Sequence, residues 1–146
     1  MGAKKKNELD VPVYLFHQGS NARSYEFLGA HITKVGRVSG VVFRVWAPNA
    51  AAVAVCGGWN DWSACADPME KVSDGGVWER FVPNVGAGEL YKFAVTTKKG
   101  SVLLKADPYA FHNETRPATA SIVYSPEYTW NDGAWMAARR LSLIHI

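Results

Sequence analysis

The sequence predicts an all-β protein, an antiparallel β-sandwich with a short helix near its start and a linker or helix near its end. Two observations carry this expectation. Apolar and polar residues alternate with period two in several short runs, the pattern of strands that bury one face. The runs recur at roughly ten-residue intervals and are separated by Gly, Pro, Asn and Asp, which form turns. A parallel α/β arrangement needs crossover helices, and no helical periodicity lies between the runs.

The elements follow in order. Residues 1–12 carry Lys4-Lys5-Lys6, close at Val11-Pro12 and read as a flexible leader. Residues 13–29 predict a short apolar strand at "VYLFH", a turn at Gln18-Gly19 and about two turns of helix, capped by Ser20 or Asn21 and closed by Gly29. Tyr25 and Leu28 would share the docking face of that helix. Residues 30–125 form the sandwich. In "GVVFRVWAP", Val41, Phe43 and Val45 fall on one face and Val42, Arg44 and Trp46 on the other. "AAVAVCG" turns Val53 and Val55 inward, and "GGVWERFVPN" is a strand bounded by Gly75-Gly76 and Pro83-Asn84. "ELYKFAV" puts Tyr91, Phe93 and Val95 inward and Lys92 and Ala94 outward. A hairpin through Gly100 leads to "SVLLKADP", and "TASIVYS" is the last strand. Residues 126–140 read as a linker entering a helix around Asp132 to Arg139.

The bulk numbers bound function. The 146 residues, 48% apolar and 20% charged, suffice for one domain with a modest core. A net charge of +3 gives little support to nucleic-acid binding, and no stretch approaches the ~20 apolar residues of a membrane span. The basic start has no apolar stretch behind it, so no secretory signal is expected. Cys56 and Cys65 have no further cysteine partners and read as free thiols of a reducing compartment, which places the chain in the cytoplasm; a local disulfide between them stays open. His17, His31 and His112 are widely spaced, so neither a metal nor another cofactor is expected.

The stretch "VCGGWNDWSACADPM" concentrates the functional signal. Trp59 continues the inward parity of Val53 and Val55 and is expected to pack in the core. Trp62, beyond the Asn60-Asp61 turn, is expected to be exposed. An indole face suits a ligand with one apolar face and a polar rim, such as a pyranose, and it also suits a nucleobase. Lys92, on the outer face, could donate hydrogen bonds to hydroxyls there.

"GGWNDW", "GVWE", "LYKFAV" and "KADPYAF" occur in that order, and together they resemble the family-48 carbohydrate-binding modules. "YLFHQGSNARSYEFLGAH", "FRVWAPNA" and "KADPYAF…ETRPATAS" resemble the amino-terminal region of bacterial 1,4-α-glucan (glycogen) branching enzymes, from about Tyr14 to Arg139. The resemblance implies an immunoglobulin-like sandwich that binds α-1,4-glucan weakly. Trp62 would stack a glucose ring, Asn60 would lie in the supporting turn, and Lys92 would line the same surface. The strong glycogen binders of this type carry a second tryptophan on the hairpin after "YKF", where this chain has "KKGSVLLKADP" with Val102 and Leu103.

The family's catalytic (β/α)₈ barrel, with its two carboxylates, is absent from these residues, so the chain is expected to be catalytically silent and to brace that barrel in a longer protein. Asp61, Asp67, Asp74, Glu79, Asp107 and Glu114 read as turn formers or solvated charges. The rival readings are a purely structural module, the equivalent module of a debranching or trehalose-forming enzyme, or a single-strand nucleic-acid binder that uses the same indoles. Residues 141–146, "LSLIHI", do not resemble the family; one reverse translation of them reproduces a sequencing-library adaptor, so a non-native tail is expected.

Overall fold

The structure is a computed structural model that describes residues 8–142. Two antiparallel sheets face each other. The first has strand order β1 (Gly29–Val35), β2 (Val38–Trp46), β5 (Val77–Pro83), β4 (Glu70–Lys71). The second runs β3 (Ala50–Gly57), β6 (Leu90–Thr97), β9 (Ser121–Ile122), β8 (His112–Asn113), with β7 (Val102–Lys105) also paired to β6. The alternation expected from the sequence holds where one face is buried. Val41, Phe43 and Val45 from β2, Val53 and Val55 from β3, Trp78 and Val82 from β5, and Tyr91 and Phe93 from β6 form one shared core. Ala94, expected outward, is buried as well.

The N-terminal expectation needs correction. "VYLFH", expected as a strand, belongs to a helix, α1 (Asp10–His17), and the helix expected after the turn shrinks to a single 3₁₀ turn, Ser24–Glu26. Leu9, Val13 and Phe16 recur at four and three residues and meet Phe27, Leu28 and Val77 in a second apolar cluster on the outer face of the first sheet. Pro12 sits in the first turn of α1, where its missing N–H costs nothing. Asp10–Pro12, read as leader, are therefore helical; residues 1–7 of that leader lie outside the described residues.

At the other end α2 (Gly133–Ser142) follows an extended stretch in which Tyr128 and Trp130 are exposed. Leu141 and Ser142 of the expected tail fall at the end of α2, and residues 143–146 lie outside the described residues.

Candidate functional site

The chain leaves β3 at Gly57 and makes one tight corner. A 3₁₀ turn, Gly58–Asn60, is followed by Asp61 and Trp62, both left-handed at φ 54 and 58. A tryptophan at positive φ is costly and is kept only where its surroundings fix it. Here Trp62 N–H donates to Gly57 O at 3.0 Å and Ser63 N–H to Asn60 O at 3.1 Å. The reversal sends the two indoles opposite ways. Trp59 folds back, stacks on Phe43 at 5.5 Å between ring centroids and packs against the core. Trp62 points out and stays 39% exposed. Gly57 makes the first move possible, since a Cβ there would lie 2.2 Å from the Trp59 ring.

Asp67 holds the corner from beneath. Its Oδ2 accepts from Trp59 Nε1 at 2.9 Å and from Asn60 Nδ2 at 2.7 Å, and its Oδ1 lies 3.5 Å from the Arg80 guanidinium. Asn60 also donates to Val55 O at 3.1 Å and accepts from Gly57 N–H at 3.0 Å. Both amide hydrogens of Asn60 are thus spent inside the turn, and its part is to position Trp62.

Trp62 and Lys92 share an open cleft of about 360 Å³ on the outer face of the second sheet. Leu90 and Leu104 floor it, and Glu114 with Ala118–Ala120 forms its wall. Lys92 Nζ donates to Thr119 Oγ1 at 2.8 Å, which fixes the ammonium with two further N–H donors on it. Of the three sequence-selected residues, the structure brings Trp62 and Lys92 together and sets Asn60 under the corner. Asp67, Arg80, Leu104 and Thr119 were missed. Strand parity could have found Leu104, because it pairs with Ala94 and so shares the face of Lys92.

Two carboxylates read as turn formers or solvated charges do other work. Asp67 is the hub just described. Asp107 is buried, accepts from Tyr91 Oη at 2.6 Å and from Tyr109 N–H at 2.8 Å, and its own N–H donates to Ser121 Oγ at 3.0 Å. Burial pushes its pKa up, against the opposing hydrogen bonds from Tyr91 and Tyr109 and the charge of His31. Burial also raises the pKa of Tyr91, so the pair shares a neutral phenol as donor. Cys56 and Cys65 are free thiols, the first buried and pushed up by that burial. No group of three metal-ligating side chains converges among the described residues.

The sequence model of carbohydrate-binding module 48 (isoamylase N-terminal domain) matches residues 27–110. The chain belongs to this family. Among curated relatives, the 1,4-alpha-glucan branching enzyme of Halothermothrix orenii is 51% identical over 129 residues, covering 88% of this chain and 20% of that one. That of Bacillus caldolyticus is 49% identical over 140 residues, 95% and 21% of the two chains. This chain therefore spans about a fifth of the length of the relatives it matches. Among solved structures, the pullulanase of Bacillus acidopullulyticus superposes with a TM-score of 0.53 at 29% identity, over 67% of this chain and 12% of that one. A maltotriose complex of the Klebsiella pneumoniae pullulanase PulA gives 0.54 at 30%, over 71% and 11%. The immunoglobulin-like all-β sandwich of this family is the fold seen here. Among the described residues no helix is long and apolar enough to cross a membrane.

Proposed function

We propose that this chain is the glucan-binding and bracing module of a 1,4-α-glucan branching enzyme, that it acts in the cytoplasm, and that the Trp62–Lys92 cleft receives the glucan. The observation that carries this reading is the left-handed corner, which spends backbone strain to hold one indole outward beside a fixed ammonium. The axial C–H groups of a glucose ring match the flat indole face, and its hydroxyls match the Lys92 donors and the Thr119 and Glu114 oxygens at the rim. Catalysis would belong to a barrel in the remaining length of such an enzyme, with this module packed on it. The higher identity to branching enzymes than to the pullulanases favours branching over debranching.

One aromatic platform with a few hydrogen bonds, less the cost of association, implies a dissociation constant of about a millimolar. Leu104 stands where a second ring would strengthen the grip, which favours bracing as a companion role. Trp62→Ala is expected to abolish retention on glycogen in affinity electrophoresis while far-UV circular dichroism stays unchanged. Unaltered retention would remove Trp62 from the site. Binding that fell steeply with salt would instead point to a polyanion.

A further inference from the structure

Among the described residues, the last backbone bonds that tie the chain to the sandwich are made by Val123. Its N–H donates to Glu89 O at 2.9 Å and its O accepts from Gly88 N–H at 2.8 Å. From Tyr124 to Arg139 every residue is exposed except Asp132, which is half-buried. Yet this stretch carries Tyr128, Trp130, Trp135 and Met136, exposed by 72%, 75%, 61% and 46%. At ~150–250 Å² for a fully covered ring, the three aromatic side chains leave roughly 300–500 Å² open to water. Their ring contacts stay within the stretch: Tyr128 is edge-on to Trp130 at 4.9 Å, and Arg139 lies over Trp135 at 5.6 Å. A monomer rarely leaves that much apolar surface in one stretch unless something covers it.

The helix makes the same demand. α2 has 10 residues, below the ~12–15 at which even alanine-rich helices persist alone in water. Helices in proteins draw most of their stability from packing one face, and Gly133 to Arg139 pack none. What covers them is indicated by the relatives. The family model stops at residue 110, whereas the match to the Bacillus caldolyticus enzyme takes in 95% of this chain, which necessarily includes Tyr128 to Met136. This chain is only 21% of that enzyme's length. The aromatic stretch therefore belongs to the shared chain but not to the sandwich, and most of the longer chain is available to bury it. Ala134, Ala137 and Ala138 allow close approach along α2, and Arg139 sets a positive charge beside Trp135. The matching surface is an apolar groove with carboxylates at its rim.

We infer that residues 128–139 are a docking element and not a tether: Trp130, Trp135 and Met136 seat in an apolar, acid-rimmed groove on the remaining part of a longer chain. This rests on the reading of the chain as one module of a branching enzyme. It assigns the bracing contact to this stretch and leaves the Trp62–Lys92 cleft outside it. α2 then folds fully only when it is docked.

The test is amide hydrogen exchange of residues 128–139 in two proteins: the 146-residue chain, and a chimera in which it replaces the matching part of the Bacillus caldolyticus enzyme. Exchange is expected to be fast in the first and about a hundredfold slower in the second. Trp130→Ser with Trp135→Ser should return the chimera to fast exchange and leave the urea midpoint of the 146-residue chain unchanged. Trp135→Phe, which keeps an apolar ring, should retain most of the protection. Fast exchange in a chimera that still branches glucan overturns this inference and spares the module reading. A folded chimera that does not branch glucan removes the module reading, and this inference with it. Protection already present in the 146-residue chain also overturns it. The sandwich is then the cover if protection is independent of concentration, a second copy if it grows with concentration, and glucan if maltoheptaose brings it on.

Discussion

Replacing Asp67 by alanine should uncouple the corner from the sandwich. The substitution strands the Trp59 indole N–H, formerly 2.9 Å from Oδ2, and one Asn60 amide hydrogen, formerly 2.7 Å away. A fully buried orphan donor costs about 1–3 kcal/mol, and both residues are only half-buried, so about 1 kcal/mol each is the reasonable figure. The Arg80 contact, at 3.5 Å with 38% of that side chain exposed, adds a few tenths at most after solvent screening. Its Nε already lacks a partner, so the guanidinium gains no relief from the change. The sum is about 2–3 kcal/mol. Urea unfolding followed by tryptophan fluorescence should show it as a midpoint lowered by about 1–2 M at unchanged slope. A double-mutant cycle isolates the mechanism: Trp59→Phe removes the indole donor, so Asp67→Ala in that background should cost about 1 kcal/mol less. A loss below about 0.5 kcal/mol, or strict additivity in the cycle, would refute the view of Asp67 as the hub.

Two further perturbations test the same framework. Gly57→Ala would put a methyl 2.2 Å from the Trp59 ring and 2.5 Å from Leu90 O, a backbone atom that cannot step aside, so about 2–3 kcal/mol of stability and the Trp62 fluorescence response to maltoheptaose should be lost together; a fully stable variant would refute the packing. Asp107 titrates above its unfolded value because it is buried, so between about pH 4 and that raised value the native chain keeps a proton the unfolded chain has released, and stability falls as pH rises through the window. Asp107→Asn removes this titration, so the stability of the variant relative to the parent should improve from pH 4 to pH 7 in urea melts, and a constant difference would contradict the buried carboxyl.

The strands were legible because burial of one face writes period two into β2, β3, β5 and β6. The N-terminal segment was not, because four consecutive apolar residues in "VYLF" satisfy a strand as well as a helix, and the deciding Leu9–Val13–Phe16 spacing starts in what read as leader. β4 and β8 span two residues each, below the length at which alternation can register. In the site, exposure of Trp62 followed from the turn and the outward side of Lys92 from parity, while their sharing one surface was implied by the family resemblance. The carboxylate hubs could not be read, since Asp67 and Asp107 look like any turn aspartate until tertiary structure closes over them.

Under the proposed glucan reading, the corner also accounts for weak binding from a rigid platform. Trp62 is held by a backbone bond to Gly57 and by a turn whose Asn60 hydrogens are already committed, so stacking a sugar on it orders little that was mobile. Lys92 is likewise tethered to Thr119 before any ligand arrives. Affinity is then limited by contact area and not by preorganisation. The direct lever is β7, where Leu104 faces the cleft opposite Trp62. Leu104→Trp should therefore tighten maltoheptaose binding by about tenfold, the worth of one added ring contact, with the temperature of unfolding unchanged because the position is already half-exposed. Calorimetric titration decides it. An unchanged constant would mean that glucan does not run across β7, and that the cleft's apolar floor serves protein contact instead.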